Sequence, residues 1–214
     1  MNPSIPPDFV GYENLINFLQ QRNIHQLAGD LVEIGAFMGG GTVKLAGYAG
    51  KHNRKVYVVD VFEPALDQTV SRGGMTAQTV YEAFLEGRSM WEVYQDATRD
   101  FNNIVTIHQD SKKVSFREQQ QFIFGFIDGC HEESYVYSDF HLIWPHLVSG
   151  GVLGFHDFDY PDWEGVTRAV NLILAEYGDE IEETVEIPGV YDIRSLMLIK
   201  KPVISGGTTQ LPHR

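Results

Sequence analysis

Two groups of residues in this 214-residue chain have the types and spacing to do chemistry. The first is Glu33-Ile34-Gly35-Ala36-Phe37-Met38-Gly39-Gly40-Gly41-Thr42, an acid followed by a run rich in glycine. Glycines let a backbone approach a ligand closely, and a helix opening just after them offers free N–H groups. A dinucleotide fingerprint needs G-x-G-x-x-G; here Ala36 and Phe37 stand where the second glycine would make the tight pyrophosphate turn. Glu33 two residues before Gly35 is unfriendly to a pyrophosphate and suits an ammonium or a hydroxyl. Asp60 ends the next apolar run, where an acid either grips ribose hydroxyls or caps the strand.

The second group is Asp128 and His131 with the pair His156-Asp157. Asp128, His156 and Asp157 offer two carboxylates and an imidazole, a set that suits a divalent ion, with Mg²⁺ or Mn²⁺ first for oxygen-rich ligation. A metal on an acceptor hydroxyl lowers its pKa and orients it. The same His156-Asp157 pair could instead be a hydrogen-bonded strand end. A neutral His131 could take a hydroxyl proton, or be a first-turn helix residue bonded to backbone. No pattern around Cys130 marks an activated thiol. His-Asp at 156–157 without further helical His and Asp ligands does not make a phosphohydrolase pair.

The elements that position these groups alternate between helix and strand periods. Tyr12–Leu27 carries a helical stripe, and Leu31–Gly35 is a short apolar strand. A helix opens at Gly39-Gly40-Gly41-Thr42, and Lys55–Asp60 is a second strand. After an irregular stretch with helical parts around 79–85 and 90–101, strands follow at 104–107, 122–127 and 152–155, with helices at 132–147 and 165–177. Two late strands near 184–187 and 196–200 flank Pro188-Gly189 and imply a terminal hairpin. The pattern predicts one doubly wound α/β domain over residues 1–203, with a mostly parallel sheet and helices on both faces. Residues 1–29 form its N-terminal helical part, 62–100 an insertion or lid, and 204–214 a flexible tail. In such sheets ligands bind beyond the carboxyl ends of the strands, where both groups lie. Neighbouring parallel strands are about 4.8 Å apart, which brings Asp128, His156 and Asp157 together. Tyr160 and Trp163, directly after that group, are the expected substrate contacts.

Composition narrows the class. At 43% hydrophobic, 12% aromatic and 21% charged residues, the chain is neither disordered nor collagen- or mucin-like. A net charge of −13 repels phosphate backbones, so no nucleic-acid partner is expected. One cysteine cannot form an internal disulfide, the first residues lack a signal-peptide pattern, and no apolar run approaches about 18 residues. The expectation is a cytoplasmic protein with no membrane partner.

Three motifs in order carry a family resemblance. Val32-Glu33-Ile34-Gly35-Ala36-Phe37-Met38-Gly39-Gly40 resembles the E-x-G-x-x-x-G motif of class I S-adenosylmethionine-dependent methyltransferases. Ile127-Asp128-Gly129-Cys130-His131 and Gly150-Gly151-Val152-Leu153-Gly154-Phe155-His156-Asp157 resemble signatures of the branch with macrolide and sugar O-methyltransferases and cephalosporin-hydroxylase-like proteins. Val59-Asp60-Val61-Phe62-Glu63-Pro64 is similar to the D-x-F-E segment of the macrolide enzymes. The resemblance, over about residues 30–175, implies a seven-stranded sheet of order 3-2-1-4-5-7-6 with the last strand antiparallel. It implies that Glu33 holds the methionine end of S-adenosylmethionine, that Gly35 and Gly39 leave room for it, and that Asp60 holds the ribose. Asp110 would lie near the adenine, although by its own position it could equally cap a following helix. Asp128 would serve cofactor, metal and acceptor together. Metal-dependent relatives usually carry Asp followed by Asp or Asn at the pair, so His156 is a departure that favours Mn²⁺, a softer metal or none. The function implied is O-methyl transfer to a small hydroxylated acceptor, such as a sugar, polyketide or phenolic natural product, by a homodimer. An NAD-dependent oxidoreductase and a catalytically silent nucleotide-binding protein are the alternatives; no iron triad is readable for a hydroxylase.

Overall fold

Strand residues alternate between two apolar faces, and the fold follows from covering both. The computed structural model describes residues 6–202; the predicted tail at 204–214 lies outside them. Seven strands are present: β1 (Asp30–Ile34), β2 (Val56–Asp60), β3 (Ile104–His108), β4 (Phe122–Ile127), β5 (Leu147–Phe158), β6 (Ile181–Pro188) and β7 (Arg194–Lys200). Their order is 3-2-1-4-5-7-6, as the resemblance implied. β3, β2, β1, β4 and β5 pair in parallel, and β7 runs antiparallel to both β5 and β6.

The helices are α1 (Tyr12–Gln21), α2 (Gly40–Lys51), α3 (Ala77–Leu85), α4 (Met90–Thr98), α5 (Glu133–Ile143) and α6 (Glu164–Tyr177). On one face Leu31, Val58, Phe124 and Phe126 pack with Leu15 of α1, Leu45 of α2 and Tyr94 of α4. On the other, Val32, Ile34, Phe155 and Leu198 meet Phe140 of α5 and Val166 and Val170 of α6. Burying a side chain of this kind contributes about 1.5–3 kcal/mol. β4 is buried at every position, as befits a central parallel strand covered on both sides.

Several elements differ from the expectation, among them the first helix, β5 and α4. The first helix stops at Gln21 rather than Leu27, because Asn23 takes a left-handed conformation (φ 55°) and Ile24–Gln26 continues as a 3₁₀ turn. β5 begins five residues early, at Leu147, because Gly150 (φ 75°) turns the chain within the strand. Within the predicted 62–100 insertion, α4 belongs to the core: Tyr94 is 1% exposed and its ring meets Phe62 at 4.4 Å. Among the described residues, no helix is long and apolar enough to cross a membrane.

Candidate active site

The carboxyl ends of β1, β2, β4 and β5 open into one cavity of about 750 Å³. That lies within the range of roughly 300–1,000 Å³ usual for small-molecule and cofactor sites. Of the predicted site residues, Glu33, Gly35, Asp60, Asp110, Asp128, His131, His156, Asp157 and Trp163 line it, and Gly39 and Tyr160 do not. Gly39 instead gives its space to protein: a Cβ there would lie 3.2 Å from the Tyr94 ring and 3.3 Å from Thr98, both on α4. The Tyr160 hydroxyl is turned to Asp162.

At the end of the cavity formed by β1 and β2, Glu33 on β1 is 1% exposed. Its two oxygens accept bonds from the Tyr12 hydroxyl of α1 and the Thr42 hydroxyl of α2, both at 2.5 Å. Burial raises this carboxyl from the usual 4.5 to about 7, against the lowering effect of the two hydroxyls. The loop after β1 is tied to β2: Asp60 accepts the Ala36 and Phe37 amides at 2.7 and 3.1 Å through one oxygen, and the Phe62 amide at 2.6 Å through the other. Burial raises the Asp60 carboxyl, and these three amides act to lower it. A carboxylate has about four lone-pair sites, so both acids keep capacity for a donor on a ligand. Gly35 sits at φ 85°, and a Cβ there would lie 2.6 Å from the Gly129 nitrogen. The space it leaves is filled by the loop after β4, which brings Glu33 and Asp128 onto one floor. Asp110 caps the 3₁₀ turn Ser111–Lys113 by accepting the Lys112 amide at 3.0 Å, and also lines the cavity after β3.

At the other end, four side chains from the ends of β4 and β5 form a chain of contacts. His156 Nδ1 lies 2.9 Å from Asp128 Oδ1 and 3.2 Å from Asp157 Oδ2. His131 Nε2 lies 3.0 Å from the same Asp157 oxygen. A fifth member, absent from the sequence reading, is Asp67 of the 62–100 segment, whose Oδ2 is 3.4 Å from His131 Nδ1. Asp67 is held there by the Thr69 amide at 3.0 Å and the Tyr81 hydroxyl at 3.2 Å. Burial works against a charged His131, but Asp157 and Asp67 outweigh it and raise the imidazole to about 10. The Asp157 carboxyl is held well below the usual range: burial raises it, and the His156 and His131 rings more than offset that. Cys130, by contrast, is pushed up to about 12 by burial and the Asp67 charge, so it is no nucleophile.

Part of the backbone strain lies at or beside the same place. Phe37, Phe62 and Asp157, each just beyond or at the end of a strand, have φ of 50°, 50° and 57°. Left-handed non-glycine residues persist only where the surroundings enforce them, and they cluster at ligand sites.

The donor set fits a divalent cation, with one change of membership. One ligand atom each from Asp128, His131 and Asp157 lie within 4.8 Å of one another. The expected set had His156 in place of His131. His156 Nδ1 faces Asp128 and Asp157, and its Nε2 is buried without a hydrogen-bond partner, so it backs the two carboxylates.

A family model described as a methyltransferase domain matches residues 32–158. No curated protein matches the sequence. Among solved structures, the chain is similar to the O-methyltransferase NovP, with a TM-score of 0.63 and 17% identity over 89% of this chain and 79% of that one. It is similar to CalS11, a TDP-rhamnose 3'-O-methyltransferase of calicheamicin biosynthesis, with a TM-score of 0.58 and 18% identity over 86% and 77% of the two chains. The N-methyltransferase NodS from Bradyrhizobium japonicum WM9, solved with S-adenosyl-L-homocysteine, gives 0.54 and 16% over 89% and 87%. At these identities the likeness is one of fold.

Proposed function

Because this chain belongs to the methyltransferase-domain family, we propose that it moves the sulfonium methyl of S-adenosylmethionine to a hydroxyl of a small acceptor. One observation carries the O-transfer reading: Asp128, His131 and Asp157 converge in the same cavity as the glycine loop. In this reading Glu33, supported by Tyr12 and Thr42, faces the amino group of the methionine end, and Asp60 faces the ribose. Asp110 marks the adenine end.

The transfer is a single in-line displacement: the carbon–sulfur bond breaks as the carbon–oxygen bond forms, and the hydroxyl proton must leave. Both carboxylates line the cavity, and Asp128, whose side chain is 22% exposed against 5% for Asp157, is the more open of the two and takes that proton. His131 and His156 hold the two carboxylates in place, and fixing the acceptor oxygen in line is itself a large part of the rate. A divalent cation held by Asp128, His131 and Asp157 would supply Lewis-acid lowering of the hydroxyl pKa. The missing second glycine at Ala36-Phe37 and the family match set the NAD-dependent alternative aside.

The test is release of S-adenosylhomocysteine from S-adenosylmethionine in the presence of a panel of hydroxylated acceptors, for the native protein and for Asp128→Asn. Loss of a base and orienting group should lower kcat by about 10²-fold or more. An unchanged kcat in the variant would contradict the assignment, and full activity in chelator would remove the metal from it.

A further inference from the structure

The part of the cavity left for the acceptor has a chemical character of its own. Its wall carries aromatic rings drawn from separate segments, in two groups joined through the Asp67 carboxylate. Phe9, before α1, meets Phe84 of α3 at 4.6 Å and Phe37 of the loop after β1 at 6.0 Å. Phe37 in turn meets Tyr81 of α3 at 5.3 Å. Tyr81 donates to Asp67, which stands against His131, and the His131 ring stacks on Trp163 at 4.4 Å and 19°. On the opposite flank the β6–β7 turn is fastened to the chain before α1 by the Val190 amide on the Val10 carbonyl. That turn carries Tyr191, a cavity-lining ring that is 78% exposed and held at φ 57°. A bulky aromatic in that conformation is a genuine backbone outlier, and here it places a ring at the cavity mouth.

The floor under these rings is acidic. Nine carboxyl groups line the cavity, and among the described residues Lys113 is its one lining lysine or arginine. Lys113 stands on the adenine side, 3.7 Å from Asp110, with its side chain 70% exposed. At the acceptor end Asp67, Asp128 and Asp157 face His131 and His156. Three carboxylates against two imidazolium ions leave a net negative charge, and so do three carboxylates against one divalent cation with neutral imidazoles. Phosphate and carboxylate recognition relies on arginine forks, lysines or helix N-termini; no arginine lines this cavity among the described residues, and the helix N-terminus that does, Gly40-Gly41 of α2, lies with Glu33 rather than with Asp67, Asp128 and Asp157.

Taking the methyltransferase reading as its basis, we propose that the acceptor is a flat aromatic hydroxy compound bearing no phosphate or carboxylate. It is held ring against ring by the aromatic wall from Tyr191 to Trp163. Acceptors carried on a nucleotide or on coenzyme A are excluded by the floor's charge. Offset and edge-on ring contacts supply the affinity, and the carboxylates supply the discrimination.

The test is a calorimetric titration of the full chain, first with S-adenosylhomocysteine and then, once saturated, with three compounds sharing one phenol ring. These are tyramine (cationic), para-ethylphenol (neutral) and para-hydroxyphenylpropionate (anionic), with dTDP and coenzyme A as phosphate-bearing probes. Tyramine and para-ethylphenol should bind, the carboxylate should bind about tenfold more weakly or worse, and dTDP and coenzyme A should give no heat. Tyr191→Ala and Phe84→Ala, at exposed positions that the fold does not need, should each weaken para-ethylphenol about threefold or more and leave S-adenosylhomocysteine affinity unchanged. Failure of S-adenosylhomocysteine to bind would strike the methyltransferase reading itself. Binding of S-adenosylhomocysteine with none of the phenols, or with the anion or dTDP as tight as para-ethylphenol, would overturn the acceptor class alone.

Discussion

Glu33 shows most clearly what a single residue does here. Its folded value of about 7 lies above the usual 4.5 because burial outweighs its two hydroxyl donors. The native state therefore holds a proton that the unfolded chain has released between those values, and stability falls as pH rises through that window. The loss is on the order of 3 kcal/mol by linkage. Glu33→Gln removes this term, so the stability of native protein minus variant should decline from about pH 5 to about pH 8 in urea titrations; a constant difference would show that Glu33 does not titrate there. Cys130, its thiol pushed up to about 12, should react with iodoacetamide far more slowly than free cysteine at mildly alkaline pH. Labelling at the rate of free cysteine would contradict its enclosure. Glu33, Asp60, Asp128 and Asp157 were legible in the sequence because each ends or follows an apolar run, and ligands gather at such ends. Asp67 was not. It lies in an irregular stretch with no strand before it, and its place beside His131 depends on Thr69 and Tyr81 folding that stretch back. Tyr12 was equally hidden, since nothing local in the first helix says that its hydroxyl ends on Glu33.

At the scale of elements, the loop after β1 is the joint on which the site turns. Gly35 has φ 85° and the loop after β4 pressed against it, so Gly35→Ala meets both a strained backbone and a collision. It should cost about 2–4 kcal/mol of stability, read by thermal denaturation; a variant as stable as the native protein would contradict the close approach. Asp60→Ala frees three amides at once, at 36, 37 and 62. It should lower both stability and cofactor affinity, whereas a residue that only gripped the ribose would lower affinity alone. The strands and most helices were readable from period and turn residues. The early stop of α1 was not, because Leu27 continues the apolar stripe while Asn23 has already left the helix. Neither was the full length of β5, where Ser149-Gly150-Gly151 reads as a turn but Val148 and Val152 both lie in one strand.

At the scale of the molecule, strand order is what makes the two groups of residues one site. β1 stands between β2 and β4, and β5 lies next to β4, so Asp60, Glu33, Asp128 and the His156-Asp157 pair fall side by side along one sheet edge. Local patterning could establish the strands but not this order, since many permutations bury the same faces; the order came with the motif resemblance. The two-sided core, with α1, α2 and α4 on one face and α5 and α6 on the other, leaves a cavity at that edge, walled in part by α3 and available to a ligand. The central claim is that this edge holds S-adenosylmethionine. Calorimetric titration with S-adenosylhomocysteine, with NAD as the control, tests it most directly. The account predicts micromolar binding of the first and none of the second; a folded sample silent toward S-adenosylhomocysteine, or one that prefers NAD, would contradict it.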